Sequence, residues 1–209
     1  MGHLDNELYR ILERLHDKSL KLDQDIRSQI IFSSIMVENE IENIITTHFC
    51  RERNPAPLFK SLIFGVGEVT FSKKISILEK ILEVAYPDLW KECKWVISRL
   101  NAIRRLRNKF AHNLSTIRIE DVEKATLDQA VESLTIERLS NDGRVIYEQI
   151  PVKKAIEYME KARAMSIFLS YIGHEIRRRV DGEKPKEFKS EDHIENLHIV
   201  FPLARLNEA

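Results

Sequence analysis

Arg107, Asn108, Lys109 and His112 lie within six residues of one another, at the end of a segment that scans as an amphipathic helix. Its apolar seam runs Val96, Leu100, Ile103, Arg107 and Phe110, in steps of 4, 3, 4 and 3. Arg107 therefore takes a core position. A guanidinium cannot give up its charge, and burying it unpaired is costly. It needs either a carboxylate inside the fold or an anion in a cleft. Glu38 and Glu42 qualify as carboxylates. They fall inside the apolar arc of an earlier helix, marked by Ile31, Ile35, Ile45 and Phe49. An ion pair between Arg107 and either glutamate would fix helix register. The anion has its own support. Residues 99–118 hold Arg99, Arg104, Arg105, Arg107, Lys109 and Arg118 and no acidic residue. Such a run attracts phosphate, or else forms a solvated helix face whose charge complements the helix dipole. An imidazole titrates near neutrality, so a histidine at position 112 can move a proton. At a helix C-terminus it can equally bond the last carbonyls.

The elements that must position these residues read as helices. The first covers about residues 5–22 and the second about 25–50, with Asp23 or Asp25 as N-cap. Pro55 and Pro57 end that register, and residues 58–67 form an apolar connector closed by Gly65 and Gly67. Ser72 caps a third helix carrying Ile75, Leu78, Ile81, Leu82 and Ala85. Pro87 breaks it, and Asp88 caps a fourth that reaches about Ala111. Residues 120–133 read as helical. Residues 134–139 and 145–150 flank Asn141-Asp142-Gly143, a hairpin signal. Pro151 opens a last long helix that Asp181-Gly182 stops near Val180. The fold class is all-α, a helical bundle with a small β-hairpin before the last helix. Residues 1–181 form the bundle. Residues 182–209 form a polar linker and a C-terminal tail, whose Leu197, Ile199, Val200, Phe201 and Leu203 are expected to dock.

Composition removes several function classes. The 209 residues carry 33 basic and 33 acidic side chains, so bulk charge does not point to nucleic acid or membrane, and a basic site must come from local clustering. Apolar stretches are too short to span a bilayer. The N-terminus lacks a basic-then-apolar signal region, which predicts a cytoplasmic protein with no membrane partner. Cys50 and Cys93 lie 43 residues apart, outside any disulfide or zinc pattern. No zincin helix, phosphate-binding loop or nucleophile elbow is found, and no metal or cofactor is expected. His48 reads as a packed core histidine. Arg177-Arg178-Arg179 reads as a solvated helix end before it reads as a nucleic-acid contact.

Arg107-Asn108-Lys109-Phe110-Ala111-His112 resembles the Arg-x4-His signature of the HEPN superfamily, helical-bundle proteins that include many RNases of toxin–antitoxin and phage-defence systems. A helix with inward glutamates, Phe49-Cys50-Arg51, Gly65-Val66-Gly67 and Phe71-Ser72-Lys73-Lys74-Ile75 are together similar to the mannitol operon repressor branch. The resemblance covers roughly residues 25–113. It implies a HEPN-like bundle and a metal-independent endoribonuclease. Arg107 would hold the phosphate, His112 would transfer the proton, and Asn108 would orient His112 or the sugar. Arg104, Arg105 and Lys109 would line the RNA backbone, and Glu38 and Glu42 would be structural or orienting. The products would carry 2′,3′-cyclic phosphate and 5′-hydroxyl ends. A homodimer is implied, with two motifs lining one groove, as is an antitoxin or regulatory protein partner. The mannitol-repressor likeness also implies the alternative of a non-catalytic transcriptional regulator or protein-interaction domain. One constraint follows from geometry. Five residues of straight helix set positions 107 and 112 about 140° apart, so they converge only if the helix ends or bends near Ala111 or a second subunit supplies one of them.

Overall fold

The computed structural model describes residues 2–65, 67, 69–112, 114–116, 133–139 and 144–185. Helix dominates, in the order α1 (Gly2–Phe49), α2 (Ala56–Phe64), α3 (Phe71–Ala85), α4 (Pro87–His112) and α5 (Val152–Val180). Three strands, β1 (Leu114–Thr116), β2 (Ser133–Leu139) and β3 (Val145–Pro151), lie between α4 and α5. The all-α expectation therefore holds. No described helix is long and apolar enough to cross a membrane. Residues 120–132, the turn at 141–143 and the tail at 196–206 lie outside the described residues.

Several boundaries differ from the sequence reading, each for a local reason. The two helices expected over 5–22 and 25–50 are one, because no Gly or Pro interrupts residues 22–25. The expected connector at 58–67 is largely helix α2. Pro55 and Pro57 end α1's register, yet proline suits a helix's first turn, where its missing N–H costs nothing. Thr70, not Ser72, caps α3, its Oγ1 accepting from the Lys73 N–H at 3.3 Å. Pro87 opens α4, and Asp88 sits within its first turn. The hairpin is present, with β2 and β3 antiparallel from Ser133↔Pro151 to Leu139↔Val145. The strand β1, which the sequence reading does not include, pairs antiparallel with β2. Gly182 stops α5 at φ +85°, in the left-handed region that favours glycine. The Glu183 N–H then reaches the Arg178 carbonyl at 2.9 Å.

The chain falls into two compact units, one within residues 32–106 and 159–209, the other within 1–31 and 107–158. In the first, Val37, Ile41 and Ile44 of α1 are buried with Leu78 and Leu82 of α3, Leu89, Val96 and Leu100 of α4, and Phe168, Leu169 and Ile172 of α5. Ile44 comes within 3.2 Å of where a Cβ on Gly173 would stand, so that glycine lets α1 and α5 approach closely. The expected arc of α1 is offset from the observed one. Ile35 and Phe49 are exposed, and the buried stripe runs Val37, Ile41 and Ile44. In the second unit, Ile26 and Ile30 of α1, Phe110 of α4, Ile150 of β3 and Ala155 of α5 are buried. The Arg27 guanidinium donates from Nη1 to the Phe110 carbonyl at 3.1 Å, occupying one of the acceptors α4's last turn leaves open.

Candidate functional site

The end of α4 lies in the unit of residues 1–31 and 107–158. The seam read from the sequence is real, with Val96, Leu100, Ile103 and Phe110 all buried. Arg107 continues it and is half-buried. Its Nη1 donates to the Asn108 side-chain oxygen at 3.3 Å, and its Nε is buried with no partner among the described residues. Buried donors are nearly always satisfied, so an orphaned guanidinium N–H stands out.

The expected ion pair between Arg107 and Glu38 or Glu42 is not formed. Lys74 of α3 takes both carboxylates, with Nζ at 2.6 Å from Glu38 and 2.7 Å from Glu42. Its side chain is only 7% exposed. The same ammonium lies 5.5 Å from the Phe64 ring centre, and Lys60 adds a second cation 3.4 Å from Glu42. Burial pulls the Lys74 pKa down, but hydrogen bonds and attraction from Glu38 and Glu42 outweigh it, and the net direction is up. Glu38 and Glu42 are thus structural, compensated within their own unit. Sequence reasoning passed over Lys74. The signal was present, because Lys74 stands at i+3 from Phe71 and i−4 from Leu78, on α3's buried stripe.

The remaining predicted residues divide. Asn108 is exposed, and its side-chain oxygen is engaged by Arg107. Lys109 contacts both oxygens of Glu148 on β3, at 2.7 and 2.9 Å. The run of residues 99–118 without acid in sequence thus gains one in space. Arg104 and Arg105 belong to the other unit. Arg105 is exposed, and Arg104 is half-buried with an Nε that has no partner among the described residues. His112 is the last residue of α4, which stays helical through it. Arg27 was not singled out in the sequence, and nothing there could have marked it, since its acceptor is a backbone carbonyl 83 residues away.

Two other motifs resolve as structure. His48 is half-buried, as a packed histidine. Its Nδ1 lies 3.0 Å from the Tyr86 hydroxyl, and burial lowers its pKa. The arginines 177–179 are not a solvated end. Arg178 and Arg179 bind Glu175 from the same helix, and Arg178 also binds Glu183. Arg179 grips both oxygens of Asp88 at 2.8 and 2.7 Å, and this bond holds the Asp88 carboxyl below its usual range. The Cys93 thiol, buried and near Glu92 and Asp88, is pushed up to about 12 and is unreactive as a nucleophile. Among the described residues no three His, Cys, Asp or Glu side chains are placed to hold a metal ion. No family model matches the chain, and neither a curated protein nor a solved structure matches it.

Proposed function

We propose that the chain is a metal-independent RNA endonuclease of the HEPN type, serving a toxin–antitoxin or phage-defence system, with Arg107 and His112 as its catalytic pair. The observation that carries this reading is Arg107: a half-buried guanidinium whose Nε has no partner among the described residues, while Lys74 takes both Glu38 and Glu42. A cation in that state suits an anion from outside, and a phosphodiester fits its planar fork.

In this reading the 2′-hydroxyl of the RNA attacks the adjacent phosphorus and the 5′-oxygen leaves. His112 moves the proton, and Arg107 holds the phosphate oxygens as charge builds. Asn108 holds Arg107 in place through its side-chain oxygen. Because α4 stays helical through His112, positions 107 and 112 of one chain remain about 140° apart. A complete site then takes Arg107 from one copy and His112 from another, across a homodimer. Arg104 and Arg105 reach the RNA backbone. Lys109 joins them only by exchanging Glu148 for phosphate.

The test is RNA cleavage by wild type, Arg107→Ala and His112→Ala. Both variants should fold and lose cleavage, and mixing the two should restore part of it if the site is shared. Undiminished cleavage by either folded variant overturns the proposal. The second reading, a non-catalytic regulator or interaction domain, draws on the Lys109–Glu148 pair and on the apolar α2 surface, where Leu58 and Leu62 are exposed. Intact RNA with every variant, together with capture of a protein partner that Leu62→Glu abolishes, would favour it.

A further inference from the structure

Within the unit of residues 32–106 and 159–209, an apolar cleft of about 380 Å³ runs between the end of α1 and α3. His48, Phe49, Ile77 and Val84 line it, with Lys73 and Lys80. Val84 is 77% exposed and Phe49 58%. Single exposed apolar side chains are ordinary, but several sharing one cleft mark a surface that something covers.

We propose that the occupant is the chain's own C-terminal segment, residues 196–206. The path of the chain carries the argument. Helix α5 ends beside this cleft: Arg177 donates to the Arg51 carbonyl just past α1, at 3.2 Å, and Arg179 lies over the Tyr86 ring at 5.9 Å. The Tyr86 hydroxyl in turn meets His48, which is a wall of the cleft. The segment therefore starts from the end of the unit where the cleft opens. Eleven residues lie between Pro185 and Leu197, and the twelve steps reach up to about 40 Å. The whole of α3 spans only about 22 Å.

The chemistry agrees. Leu197, Ile199, Val200, Phe201, Leu203 and Leu206 supply the apolar side chains such a cleft buries. The stretch before them carries Glu187, Glu191, Asp192 and Glu195 against two lysines, opposite in sign to Lys73 of the wall and to Lys80, which already pairs with Glu83. A second copy docking here by two-fold symmetry would instead bring these lysines against their own equivalents.

Amide hydrogen exchange on the full-length protein tests this without reference to RNA. Val84→Glu places a charge in the cleft at a position exposed enough to leave the core intact. It should raise exchange across residues 197–203 by about tenfold. The reciprocal variant, Phe201→Asp, should raise exchange across residues 77–85. Tail exchange unchanged by Val84→Glu overturns the proposal. Tail protection that vanishes on tenfold dilution also overturns it, because the occupant would then be a second copy.

Discussion

Lys74 and Arg107 both stand on inward-facing helical stripes, in separate units, and they are treated differently. Lys74 is almost fully enclosed, with two carboxylates within 2.7 Å and an aromatic ring beside it. Arg107 is half-buried, bonds a neutral amide, and keeps a buried N–H without a partner among the described residues. The cost of removing a charge from water is offset at Lys74 from inside the fold. Among the described residues no carboxylate does the same for Arg107, and the proposed anion-binding role rests on that difference. Spacing alone cannot separate the two, since both sit on a core stripe. The partners decide.

Substitutions should widen that contrast. Lys74→Ala leaves Glu38 and Glu42 side by side without their cation, and should cost about 3–5 kcal/mol in urea unfolding. A loss under about 1 kcal/mol would place those carboxylates in water and dissolve the contrast. Arg107→Ala should do the reverse. We expect unfolding stability within about 1 kcal/mol of wild type, with cleavage lowered about 10²–10³-fold in a single-turnover assay. Smaller effects sharpen the account of the basic run. Arg105→Ala should reduce the salt slope of RNA binding by about one, as expected for a lost phosphate contact. Lys109→Ala should reduce it less, because Glu148 already holds that ammonium. Its stability cost should stay under about 1 kcal/mol, the pair being partly exposed. The smallest effect concerns His48. Its folded pKa lies below 6.5, so the unfolded chain binds the proton more readily. Stability should be complete above pH 6.5, fall as the pH drops from there toward the folded pKa, and level off below it. His48→Asn should remove that slope from a plot of Tm against pH.

Much of this was legible in the sequence, and the misses have physical causes. The 4-3-4-3 seam of α4 placed four core residues, and Arg107 continues that seam half-buried. The strands expected at 134–139 and 145–150 match β2 and β3, because alternation is a local property. Glu38 and Glu42 were rightly marked as inward charges that need a cation. Their partner is Lys74 rather than Arg107, a choice that spacing leaves open because both cations stand on inward-facing stripes. The strand β1 is three residues long and depends on pairing with residues 135–137, so no local pattern announces it. Arg27 is invisible for the same reason, since it bonds a carbonyl that any residue at 110 would offer. The α2 helix was hidden by prolines read as breakers. At Pro55 and Pro57 they stand just before and just inside a helix start.

The most direct test of the central claim is to incubate purified wild type and His112→Ala with total RNA or a tRNA pool in EDTA, and to identify the product ends. The account predicts cleavage by wild type alone, with 2′,3′-cyclic phosphate and 5′-hydroxyl ends. Equal cleavage by both proteins, cleavage that EDTA abolishes, or products with 5′-phosphate ends would contradict it.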